Sequence, residues 1–115
     1  MGAYYNASRT IYGVKDRTSY AAAKSALVGC TKTRALELAK YGICVNAIAP
    51  GPIETDLFRE KRPIGSDAEK AVLNTIPMER IGHPIEMAAT ISFLLSNHAS
   101  YITGQVISVD GGGSL

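Results

Sequence analysis

Ile43-Cys44-Val45-Asn46-Ala47-Ile48-Ala49 runs without strict alternation of apolar and polar residues and stops at Pro50-Gly51-Pro52. A strand covered on one face alternates with a period of two, whereas a strand covered on both faces reads as a near-continuous apolar run. The stretch therefore predicts a doubly covered strand of a parallel sheet, closed by a proline-glycine bend. Before it, residues 19–41 form the clearest helix, with Thr18 or Ser19 placed to cap its start and Gly42 to take the left-handed turn at its end. After it, Ser66-Asp67-Ala68-Glu69 has the form of a capping box, opening a short helix to about Asn74. Pro84 suits the first turn of a helix to about Asn97, with Ile85, Ala88, Ala89, Ser92 and Leu95 at helical spacing. Gln105-Val106-Ile107-Ser108-Val109 reads as a final strand, and residues 3–7 supply a further candidate at the front.

The order strand, helix, strand, loop with a short helix, helix, strand argues for parallel α/β architecture with right-handed crossovers. Three parallel strands leave one sheet edge open, which another chain or an N-terminal part outside this sequence would cover. The 115 residues fit one domain or half of a larger one. With 12 Lys and Arg against 10 Asp and Glu, the net charge is +2, and 46% of residues are hydrophobic. Those values argue against disorder and against a basic nucleic-acid arm. The basic residues are spread along the chain, the pattern of a solvated surface. No apolar run approaches the ~18 residues needed to cross a bilayer, and Met1–Ala7 has no signal-peptide pattern. Cys30 and Cys44 lack the spacing of a metal site or disulfide framework and read as small buried thiols in a reducing, cytoplasmic setting. His83 and His98 stand apart from other metal ligands, so no metal site is expected.

Tyr20 and Lys24 are one helical turn apart, on the side that also carries Leu27, Thr31, Ala35 and Leu38. An ammonium beside a phenol favours the phenolate and makes a proton donor and acceptor usable near neutral pH. The spacing by itself favours a core tyrosine with a lysine reaching past it to water. Ser8 lies twelve residues before Tyr20, at the end of the candidate first strand. In open α/β sheets ligands gather beyond the carboxyl ends of strands, where Pro50-Gly51-Pro52-Ile53 also lies. Ser8, the start of the Tyr20 helix and residues 50–55 are therefore expected to converge on one crevice. Glu54 and Asp56 are better read as flanking a short helix started at Thr55-Asp56 than as a catalytic carboxylate pair. Asn46 is expected to bond neighbouring backbone, and Asp110 to organise the C-terminal turn.

These residues resemble the C-terminal half of a short-chain dehydrogenase/reductase, most of all the 3-oxoacyl-[acyl-carrier-protein] reductase-like branch. The matching text is Ser8, Tyr20-Ala21-Ala22-Ala23-Lys24 and Val45-Asn46-Ala47-Ile48-Ala49-Pro50-Gly51-Pro52-Ile53-Glu54-Thr55. Ile76-Pro77-Met78-Glu79-Arg80-Ile81-Gly82-His83-Pro84-Ile85-Glu86, Tyr101-Ile102-Thr103-Gly104-Gln105-Val106 and Val109-Asp110-Gly111-Gly112 complete it. The resemblance implies a partial Rossmann-like parallel sheet, the C-terminal half of a doubly wound fold. It implies an NAD(P)-dependent oxidoreductase interconverting a carbonyl and a secondary alcohol, working as a dimer or tetramer. In it Tyr20 would be the general acid or base, Lys24 would support Tyr20 and hold the nicotinamide ribose, and Ser8 would bond the substrate carbonyl. Pro50, Gly51 and Ile53 would set backbone against the nicotinamide, with Thr55 as a polar contact. Residues 56–75 would form a mobile segment over the substrate.

The resemblance also places the family's Gly-rich phosphate turn, its cofactor-selecting residue and its relay asparagine in an N-terminal half that this sequence lacks. Gly111-Gly112-Gly113 follows a strand, but only Ser114 and Leu115 remain to start a helix behind it. The spacing from Ser8 to Tyr20 is one residue shorter than the family's commonest, with Thr10 the second choice for the serine role. Little activity is accordingly expected of these 115 residues alone. The rival reading is a non-catalytic α/β dimerisation module. Ala22, Ser25, Ala26, Gly29, Thr33 and Leu36 give the 19–41 helix a second small or apolar face, on which another helix could pack closely.

Overall fold

The apolar run 43–49 becomes a strand only from Ala47, because side-chain bonds and one backbone bond outside the ladder tie down the residues before it. In the computed structural model, which describes residues 15–115, the Asn46 amide donates to Ile102 O at 2.8 Å and its Oδ1 accepts from Gln105 N at 3.0 Å. Val45 N donates to Thr103 Oγ1 at 3.0 Å, and Gly104 N donates to Val45 O at 2.7 Å. Beyond this clasp the regular ladder begins. Strand β1 (Ala47–Pro50) pairs in parallel with β2 (Val106–Val109), Ala47 opposite Val106 and Pro50 opposite Val109. The parallel α/β reading holds, with two strands among the described residues. The candidate strand at 3–7, Ser8 and Thr10 lie outside them.

Helix α1 (Thr18–Leu38) continues through a 3-10 turn, Ala39–Tyr41, into Gly42 at φ 72°. The glycine stop is where the sequence places it. The start is not: Thr18 lies inside the helix, and Arg17 occupies the cap position without a side-chain cap bond. Thr31 and Ala35 are the buried residues of α1, and a β-carbon on Gly104 would stand 3.4 Å from that of Ala35. Leu27, expected on the covered side, is 57% exposed. Cys30 and Cys44 are both free and exposed, against the expectation of buried thiols.

Helices α2 (Asp56–Lys61), α3 (Asp67–Leu73) and α4 (Pro84–Leu94) fill the connection between the strands. Thr55 Oγ1 accepts from Phe58 N to start α2, and Ser66 Oγ accepts from Glu69 N to start α3. The expected capping box at Ser66 is half made, because the Glu69 carboxylate turns to Gly65 N and Arg59. The box is formed at α4 instead, where Glu86 accepts from His83 N at 2.7 Å. The covered side of α4 is Glu86, Met87, Thr90 and Leu94. The apolar stripe marked by Ile85 and Leu95 faces outward, at 72% and 83% exposure. Phe58, Val72, Ile76 and Ile81, with Leu73 against them, form the apolar cluster beneath α2 and α3.

Candidate active site

Parallel pairing puts the carboxyl ends of β1 and β2 side by side, so Gly51–Ile53 and Asp110–Gly112 leave the sheet together. Gly51 N donates to Val109 O at 3.0 Å, extending the ladder one step past β1. A β-carbon on Gly51 would lie 2.6 Å from Asp110 Cβ, so only glycine lets the two strand ends come this close. Asp110 Oδ1 accepts from Gly112 N at 3.0 Å and organises the turn that follows, as expected.

Beyond Gly51 the chain finds a new partner. Ile53 bridges Gly82 in parallel: Gly82 N donates to Pro52 O at 2.9 Å and Glu54 N donates to Gly82 O at 2.8 Å. This pattern uses the residues on either side of Ile53 and directs the N–H and C=O of Ile53 itself away from Gly82. A cavity of about 310 Å³ opens at this end, lined among others by Pro52, Arg80, Gly82, Glu86, Met87 and Asp110. Tyr20 and Lys24 are not among its lining residues.

On α1, Tyr20 and Lys24 are both half-buried, and Lys24 Nζ stands 5.6 Å from the centre of the Tyr20 ring. The structure thus brings the predicted pair together on one turn. Pro50 ends β1, Gly51 and Pro52 are buried, and Ile53 is half-buried. Thr55 is placed by its capping role, and its hydroxyl hydrogen remains for donation elsewhere. Ser8 is outside the described residues.

Two ion-pair groups at this end escaped the sequence reading. The Arg59 guanidinium bonds both oxygens of Glu54 and also Oε1 of Glu69. These bonds hold the Glu54 carboxyl below its usual range. Glu69 is held down likewise by Arg59 and then by Gly65 N, and the two carboxylates push Arg59 up. Arg80 pairs with Glu86 through two bonds of 2.9 and 2.6 Å. That pairing and the His83 N–H lower the Glu86 carboxyl to about 2. Spacings of five, ten and six residues across loops follow no helical or strand period, so no pattern in the sequence marks these pairs. Among the described residues no three His, Cys, Asp or Glu side chains gather as a metal site, and no helix is long and apolar enough to cross a membrane.

A family model described as enoyl-(acyl carrier protein) reductase matches residues 3–114. Over 102 residues the chain is 51% identical to the 3-oxoacyl-[acyl-carrier-protein] reductase FabG of Thermotoga maritima, covering 89% of this chain and 40% of that protein. It is 41% identical, over the same shares, to nodulation protein G of Azospirillum brasilense. Among solved structures, the 3-oxoacyl-[acyl-carrier protein] reductase of Brucella melitensis superposes with a TM-score of 0.83 at 35% identity, over 96% of this chain and 40% of that one. The NADPH-dependent reductase YwfH superposes with a TM-score of 0.74 at 41% identity, over 83% and 39%. The chain spans about 40% of the length of the curated relatives it matches.

Proposed function

Since the chain belongs to the short-chain dehydrogenase/reductase family, we propose that it is the catalytic half of an NAD(P)-dependent reductase of 3-oxoacyl-type carbonyls. The observation that carries this reading is the half-buried Tyr20 with the Lys24 ammonium 5.6 Å from its ring, one turn away on α1. Relatives described as 3-oxoacyl reductases and as an NADPH-dependent reductase support the chemistry.

The residues present fit the nicotinamide end of the cofactor. The Ile53 N–H and C=O, turned away from Gly82, match the acceptor and donor of a carboxamide. Thr55 keeps its hydroxyl proton to give, and Pro50 and Gly51 stand at the strand end beside Ile53. The nicotinamide, when bound, supplies the hydride. Tyr20 Oη gives its proton to the substrate oxygen as charge develops there, and takes it back in the reverse direction. Lys24, with three N–H donors on a flexible stem, keeps positive charge beside Tyr20 and has donors left for ribose hydroxyls. Ser8 is the proposed donor to the carbonyl oxygen.

The test is a chimera in which this chain replaces the matching part of the Thermotoga maritima reductase. It should oxidise NADPH when given a 3-oxoacyl thioester. Tyr20→Phe should lower kcat by about 10²–10⁴ while leaving NADPH affinity in place. Full turnover in the phenylalanine variant would overturn the assignment of Tyr20.

The protein is proposed to work in the cytoplasm as a homo-oligomer, and one observation also favours the second reading, a dimerising module. Ala22, Ser25, Ala26, Gly29, Thr33 and Leu36 are all exposed on one face of α1, and none of the described residues comes within 4 Å of a β-carbon built on Gly29. Gly29→Leu should lower the sedimentation coefficient of an assembled protein. An unchanged value would remove this face from the interface.

A further inference from the structure

Glu54 directly follows Ile53, and its backbone N–H is one of the two donors of the Ile53–Gly82 bridge. Its side chain leaves in another direction, into the fork of Arg59 on α2. The remaining Arg59 nitrogen reaches Glu69 on α3, with the Arg62 carbonyl 3.4 Å away. One guanidinium therefore touches the strand-end loop, α2 and α3 at once. We propose that Arg59 is a positioning residue, which couples the α2–α3 cover to the Ile53 segment so that the two move together.

Three observations support the coupling. The Glu69 side chain is 10% exposed and that of Arg59 25%, so the hub is shielded enough for its bonds to outlast those of a surface pair. Every nitrogen of the guanidinium is engaged, a geometry that a lysine ammonium cannot copy. The cover has its own apolar cluster, Phe58, Val72, Leu73, Ile76 and Ile81, so α2 and α3 stay packed without the hub. What the hub adds is the link across to Glu54. The consequence for a nicotinamide rests on the oxidoreductase reading above; the mechanical coupling does not.

Amide hydrogen exchange on the chain tests it, read at the Glu54 and Gly82 amides that make the bridge. In Arg59→Gln both should exchange about 10- to 100-fold faster, the factor expected for losing a charge-assisted hydrogen bond. Glu54→Gln should reproduce that effect at the same two amides, and it serves as the check if Arg59→Gln fails to fold. Arg59→Lys, which keeps the charge without the fork, should recover only part of the protection. If Arg59→Gln and Glu54→Gln leave the Glu54 and Gly82 amides at wild-type rates, even with α3 loosened, the hub ties helices together and positions nothing. A parallel titration with NADPH separates the two ideas. Absence of binding by the chimera with the Thermotoga maritima reductase would count against the nicotinamide reading, while the exchange rates on the chain decide the coupling.

Discussion

At Gly51, a β-carbon would meet Asp110 at 2.6 Å from Cβ and 2.7 Å from Cα, and neither atom can swing aside. Gly51→Ala should therefore push β1 and the C-terminal turn apart and destabilise the chain by about 1–3 kcal/mol, measured by denaturant unfolding. The resemblance assigned this glycine to cofactor approach, and the structure adds a packing reason that holds with or without ligand. The turn role of Asp110 and the proximity of Tyr20 and Lys24 were legible because each depends on partners close in sequence, whereas Asn46 bonds Ile102 and Gln105, which only the tertiary structure brings beside it. Gly82 was not singled out, because its role arises only when the loop before α4 lies beside Ile53.

Among the elements, α4 shows how a correct helix can be given the wrong face. Ile85 and Leu95 have helical spacing, yet Met87, Thr90 and Leu94 are better covered. Periodicity reports that a stripe exists, and packing chooses which stripe is buried. Two variants make the difference measurable. Phe58→Ala, in the cluster under α2 and α3, should cost about 3–5 kcal/mol. Ile85→Ala, at 72% exposure, should stay within about 0.5 kcal/mol of wild type. Thermal and denaturant unfolding of the pair would check both. Phe58 is also flanked by the Arg59 and Arg62 guanidinium carbons, 5.4 and 5.2 Å from its ring centre, so its truncation would loosen the Arg59 hub as well.

For the molecule as a whole, three carboxylates with lowered pKa values make folding stability depend on acid. Glu54 faces Arg59 and, at longer range, His83; Glu69 faces Arg59 and Gly65 N; Glu86 faces Arg80 and His83 N. A carboxyl whose folded value is depressed binds its proton more readily in the unfolded chain, so its contribution is complete above the ordinary value of 4.5 and fades as pH falls. For Glu86 the loss runs from 4.5 down to about 2. Tm should fall across this window, and Glu86→Gln should flatten the fall. A Tm independent of pH there would contradict the ion pairs.

By itself the sequence determined the α/β class, the helix stop at Gly42, the caps at Thr55 and Ser66, the parallel strands and the Tyr20–Lys24 pairing. All of these follow from backbone conformational preference, hydrophobic period or one-turn proximity, which act over a few residues. Tertiary structure alone decided which faces of α1 and α4 are covered, that both cysteines are exposed, and that Arg59 joins Glu54 to Glu69. Those outcomes depend on how segments far apart in sequence approach one another, and no local pattern encodes that approach.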